Sequence, residues 1–211
     1  MQARWEKLLD HFSVPAPMAR SAYGKIAQQY ETGTRVYHTL GHVRDVLDSV
    51  EALASHARHL HTVQLAGWFH DAVYDSRRED NEARSAALTA QHLAAIGMAE
   101  ATIGETQRLI LLTKTHETAA DDADGHVLLD ADLAILGAPP AVYEQYARAI
   151  RREYGWLGDD AYRHGRSAVL HHFLQRNHLY YTAPMRDRRE ARARANLRRE
   201  IQALNAASQT P

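Results

Sequence analysis

Apolar residues recur three and four positions apart along almost the whole chain, and β-branched alternating runs bounded by hairpin turns are absent. That periodicity is the signature of amphipathic helices, so the chain reads as all-α. It predicts helices over about 2–12, 17–30, 39–56, 60–74, 80–97, 100–116, 126–136, 139–154, 158–177 and 187–206. Pro15, Pro17, Gly33, Gly97, Gly125, the pair Pro139-Pro140, Gly158 and Pro184 punctuate them. No fixed-period repeat runs through the chain, which argues for a compact single domain over 1–211 rather than a solenoid. The last helix is basic on its exposed positions, with Ala195, Leu197, Ile201 and Leu204 available for packing.

One stretch breaks the alternation of faces. Leu65-Ala66-Gly67-Trp68-Phe69 before His70-Asp71, and Ala72-Val73-Tyr74 after it, make a helix buried on nearly every side. An imidazole and a carboxylate set there need compensation. Either they satisfy each other by a hydrogen bond in the core, or they bind a cation. Upstream, His38 and His42 are four apart, which places both on one side of a helical turn. Downstream, Asp130 and Asp132 sit in HVLLDADLAILG. Two positions apart on a helix they point in different directions, and Asp132, a turn from both Leu128 and Leu136, takes the inward aspect. Asp130 then serves as a cap or supports a ligand. The chain has 14 histidines, so most of the others are expected to be surface or packing residues.

Composition narrows the chemistry. The 211 residues are 45% hydrophobic, enough for one substantial core, and the formal charge of −1 disfavours a protein built to coat nucleic acid or an anionic membrane. There is no cysteine, so a metal must be held by His, Asp or Glu. His42, His70, Asp71 and Asp132 form a two-nitrogen, two-oxygen set suited to Mn²⁺, Fe²⁺, Ni²⁺, Co²⁺ or Mg²⁺, or to Zn²⁺ with an expanded shell. The start, MQARWEKLLDHF, resembles neither a secretory signal nor an anchor, and no segment reaches the ~18 uninterrupted apolar residues of a membrane span. A cytoplasmic protein with small-molecule partners is expected.

The order H…HD…D on helices resembles the HD superfamily of metal-dependent phosphohydrolases. The match spans about residues 35–136, with helices 139–206 packing on that core. The strings RVYHTLGHV, WFHDAVYD, DNEARSA, LLTKTH, DADLAILG and REY are similar in particular to a bacterial group of predicted HD phosphohydrolases. The resemblance implies an all-helical HD-domain fold. It also implies cleavage of a phosphoester or phosphoanhydride of a nucleotide or small phosphorylated metabolite by metal-activated water. YHTLGHVRDV looks like a segment of cyclic-nucleotide phosphodiesterases in which the earlier histidine protonates the leaving oxygen and the later one binds metal. That implies His42 as ligand and His38 as general acid, with Thr39 departing from the asparagine of those enzymes. Asp71 is implied to bind metal and accept a proton. Asp132-Leu133 matches the superfamily's final aspartate better than Asp130-Ala131 does.

Around this set, Arg35, Lys114 and His116 are the candidate cations for phosphoryl oxygens, with Tyr37 a candidate pocket wall. His116 is alternatively a ligand to a second metal, ahead of His92 and His126. Glu82 either opens a helix beside its N-terminal dipole or works as a base near the substrate. Two rival readings share the ligands: an HD-fold di-iron oxygenase, and a non-catalytic helical sensor that binds a nucleotide at a retained metal site.

Overall fold

The computed structural model describes residues 1–31, 33 and 35–206. Among them every regular element is helical, as the periodicity predicts. The chain divides into two compact units, 1–132 and 133–211, each described by itself.

The first unit contains α1 (Gln2–His11), α2 (Ala16–Tyr30), α3 (Leu40–Ala52), α4 (Leu60–Phe69), α5 (Asn81–Ala94), α6 (Glu100–Leu112) and α7 (Ala123–Asp132). Helix α4 is its axis, packed by α1, α3, α5, α6 and α7. This explains why 65–70 lack a polar face: every residue from Leu65 to His70 is buried. Trp68 and Phe69 are core, as expected for residues in that run. The Trp5 ring meets them edge-on, with centroids 5.3 and 5.9 Å away. Gly67 sets the approach of α3. A Cβ there would stand 3.3 Å from Leu47 Cδ2 and 3.4 Å from Val46 Cγ1, so the absent side chain lets the two helices close together.

Several helix ends differ from expectation. Helix α4 stops at Phe69 rather than running to 74, α6 stops at Leu112 rather than 116, and α7 covers Ala123–Asp132 rather than 126–136. The His-Asp pair therefore lies in a turn at a helix end and not inside a helix. The turn is fixed by side chains from elsewhere in the sequence. Arg35 donates to the carbonyls of Asp71 (2.7 Å) and Ala72 (3.0 Å), and Ser85 Oγ both accepts from Val73 N and donates to Val73 O. Asn81 likewise bridges Asp75 N and Asp75 O. These bonds replace those a continued helix would make.

The second unit begins with a 3-10 turn, Leu133–Gly137, followed by α8 (Pro140–Glu153) and α9 (Asp159–Gln175). A short helical turn, Ala183–Met185, and a π-helical turn, Arg186–Glu190, lead into α10 (Ala191–Ala206), which packs on the 3-10 turn and on α9. The inward face of α10 is Ala193, Asn196, Leu197 and Ile201; Ala195, expected to pack, is exposed. Asn196 is admitted because its amide donates to Leu136 O (2.8 Å) and Ala138 O (2.9 Å). Tyr180 is buried in the core, its hydroxyl donating to Leu133 O.

Among the described residues no helix is long and apolar enough to cross a membrane.

Candidate metal centre

Three helix ends deliver the cluster. His42 lies in the first turn of α3, His70 caps the C-terminus of α4, and Asp132 closes α7. Thr39 caps α3, its Oγ1 accepting from Gly41 N at 3.2 Å. Because α4 has ended, the consecutive residues His70 and Asp71 both aim at one point. Within a regular helix neighbours diverge by about 100°.

The donor atoms lie at ligand-to-ligand separations. His42 Nε2 is 3.1 Å from His70 Nε2 and 3.0 Å from Asp132 Oδ1, and His70 Nε2 is 3.5 Å from Asp132 Oδ1. Asp71 Oδ2 is 3.1 Å from His70 Nε2 and 3.6 Å from His42 Nε2. Neighbouring ligands bonded at about 2.1 Å to a tetrahedral or octahedral ion stand roughly 3.0–3.4 Å apart. His42, His70 and Asp132 are thus a buried group able to hold a metal ion. His70 Nδ1 lies 3.0 Å from Gly67 O, a bond that keeps the proton on Nδ1 and turns the Nε2 lone pair to the cluster.

The electrostatics point the same way. Burial acts to lower the His70 pKa, but the Asp71 and Asp132 carboxylates outweigh it and hold the imidazole well above its ordinary value. Burial acts to raise both carboxyls, yet His70, with His38 and His42 beside Asp71 and with His116 and His42 beside Asp132, holds them well below the usual range. The spot favours added positive charge, whether a proton or a divalent ion.

The other candidates fall into two groups. Tyr37, His38 and His116 adjoin the cluster. The Tyr37 ring packs on His42 with centroids 4.7 Å apart, and His38 stacks on Tyr74 at 4.0 Å. His116 Nε2 lies 2.9 Å from Asp132 Oδ2. Arg35, Lys114 and Glu82 are engaged differently. Arg35 turns its guanidinium to the carbonyls of His38, Asp71 and Ala72, between the rings of Tyr30 and Tyr74. Exposed Lys114 donates to Glu79 O, and Glu82 occupies the first turn of α5, half-buried. His92 packs edge-on against Phe69 and His126 bonds Ala119 O, and the group of donors that could hold a metal consists of His42, His70 and Asp132 without either. Asp130, expected as a cap or a support to a ligand, is fully buried two residues before Asp132.

No family model, curated protein or solved structure matches the chain. The helical fold and the His/His/Asp cluster are compatible with an HD-type arrangement.

The sequence reading missed the supports of the centre: Ser85 and Asn81 on the turn, Thr39 on α3, and Gly67 as both spacer and carbonyl partner of His70. A buried serine in the helix after the His-Asp pair was the available signal. Nothing local to it names Val73 as its partner.

Proposed function

We propose that the chain is a divalent-metal phosphohydrolase acting on a nucleotide or another small phosphorylated metabolite. The observation that carries this reading is the convergence of two imidazole nitrogens and two carboxylate oxygens on one buried point. The resemblance of the surrounding strings to HD phosphohydrolases supplies the reaction class.

His42, His70, Asp71 and Asp132 would hold the ion. A divalent metal in that position supplies Lewis acidity, lowering the pKa of water and drawing charge from phosphoryl oxygens. Asp71, the more solvent-accessible carboxylate of the pair at 18% against 13%, is the proton acceptor in this reading. His38, with its ring plane fixed by Tyr74, is the proton donor to the leaving oxygen. Arg35 acts through the backbone: by clasping the His38 carbonyl and the 71–72 turn together it positions the proton donor against a ligand. Lys114 keeps donors beyond its single bond to Glu79 O and is the candidate cation for phosphate in this reading. Tyr37 forms a wall beside His42.

The test is metal analysis of the purified protein, followed by hydrolysis assays with a generic phosphoester and a nucleotide panel. One divalent ion per chain and turnover are expected, both lost in Asp71→Ala. Full activity in that variant would remove the reading. Two irons per chain with an O₂-dependent spectrum would replace it with oxygenase chemistry, and ligand-induced stabilisation without product across the panel would replace it with a sensor.

A further inference from the structure

The formal charge of −1 is the difference of two opposite charges. Residues 1–132 carry 12 lysines and arginines against 19 carboxylates, a balance of −7, whereas residues 133–211 carry 13 arginines, no lysine and 7 carboxylates, a balance of +6. Five of those seven carboxylates each pair with an arginine. They include both acids that stand among the arginines of the last helix: Glu190 is held by Arg194 at 2.7 Å and Glu200 by Arg166 at 2.8 Å. The surplus therefore collects on the π-helical turn and α10. There Arg188, Arg192, Arg198 and Arg199 are exposed and have no carboxylate partner among the described residues. Asp187 is the one exposed acid in 186–206.

These arginines share a face. The buried side of α10 is Ala193, Asn196, Leu197 and Ile201, and the exposed positions up to 203 are Ala191, Arg192, Ala195, Arg198, Arg199, Gln202 and Ala203. No acid is among them. One guanidinium is already held in place: Arg192 donates from Nε to Gly137 O at 2.7 Å. A carbonyl occupies a donor without cancelling the charge, and a guanidinium has five N–H groups, so Arg192 keeps donors and has less rotamer freedom to lose on binding.

We propose that this arginine face is a contact surface for the phosphate backbone of a double-stranded nucleic acid. From Arg188 to Arg199 the helix extends about 16 Å at 1.5 Å per residue, against about 3.4 Å per nucleotide along one strand, so the row spans several successive phosphates and exceeds a single phosphate group. The planar fork of arginine matches phosphate oxygens two at a time. A single strand calls for aromatic rings on which bases stack, and an anionic membrane calls for apolar side chains beside the charges. Between these arginines stand alanine and glutamine, and the leucine and isoleucine of α10 face inward. Contacts confined to phosphate carry no sequence information, so binding is indifferent to sequence. The surface is independent of the metal reading, and its failure would leave that reading intact.

The test is fluorescence anisotropy of labelled 20-base-pair DNA and RNA duplexes titrated with the full chain at 50–200 mM NaCl. Binding to at least one duplex is expected. With four phosphate contacts its affinity should fall roughly 100-fold across that salt range. Arg188→Gln, Arg198→Gln and Arg199→Gln combined should lower the slope of log affinity against log salt by about 3 without changing Tm, since none of the three side chains is bonded within the fold. A control combining Arg20→Gln, Arg44→Gln and Arg84→Gln makes the same change of charge in residues 1–132 and should bind as the parent does. Absence of binding to both duplexes at 50 mM NaCl would overturn the proposal, and so would equal weakening by the control, which would reduce the effect to net charge. Sedimentation with phosphatidylserine vesicles in the absence of duplex binding would overturn it in favour of a membrane surface.

Discussion

His116 reaches Asp132 from a left-handed backbone: its φ is +53°, and its Nε2 lies 2.9 Å from Asp132 Oδ2. A non-glycine residue in that region costs about 1 kcal/mol and persists where surrounding structure over-determines it. Here the strained turn after α6 carries the imidazole to the outer oxygen of the carboxylate, whose inner oxygen, Oδ1, is 3.0 Å from His42. The histidine thereby fixes the rotation of Asp132.

Ring and backbone can be separated at this position. His116→Gly and His116→Ala both delete the imidazole, but only glycine relaxes the left-handed turn. Glycine is therefore expected to be the more stable variant by about 1 kcal/mol in denaturant melts. Both should bind Mn²⁺ or Zn²⁺ about 10–100-fold more weakly than the parent by calorimetry. Unchanged affinity in both would mean that the ring does not orient the carboxylate.

Metal should stabilise the fold, because the ligands come from three helix ends that are brought together only in the native state. At a free ion concentration 100 times Kd the gain is about 2.7 kcal/mol, visible as a rise in Tm that a chelator reverses. In Asp132→Ala neither Mn²⁺ nor Zn²⁺ should move Tm. An identical shift in that variant would place the ion elsewhere.

Asp122 links acid stability to the helix that presents Asp132. Its Oδ1 accepts from Gly125 N at 3.0 Å, capping the start of α7, and Arg108 bonds it at 2.7 Å. Burial acts to raise its pKa, but the Arg108 guanidinium, the Thr118 hydroxyl and the Gly125 amide outweigh it and hold the group at about 2. A carboxyl depressed in the folded state contributes stability above its unfolded pKa of about 3.9, lost as the pH falls through the folded value. Asp122→Ala should therefore cost about 1 kcal/mol near neutrality, and the gap from the parent should close between about pH 4 and 2. A gap independent of pH in denaturant titrations would contradict this.

Asn196 bridges Leu136 O and Ala138 O from α10, with no exposure of its own. Asn196→Leu keeps the branched shape but leaves two carbonyls without their donor, and should cost about 2–3 kcal/mol in denaturant melts. A neutral result would show that those carbonyls find other partners.

Much of this protein is readable along the chain. The three-and-four spacing gives the helices, since helical periodicity is local. The unbroken apolar run at 65–69 marks the most enclosed helix. The residue types of His42, His70 and Asp132, with cysteine absent, restrict the ion they can hold, but the leucine spacing that marks Asp132 as the inward carboxylate fails, because α7 ends at Asp132 and Asp130 is the more deeply buried of the two.

What the sequence left open was where helices stop. The expected continuation of α4 to 74 and α6 to 116 extrapolates a pattern, whereas the actual ends are set by partners distant in sequence: Arg35 on the carbonyls of 71 and 72, and Ser85 on Val73. These ends turn His70 and Asp71 toward the same point and swing His116 onto Asp132. The chain by itself determined which residues have the chemistry to bind a cation and that helices would surround them. Only the tertiary structure decided that their donor atoms meet, because convergence depends on backbone hydrogen bonds made across the fold rather than on neighbouring residues.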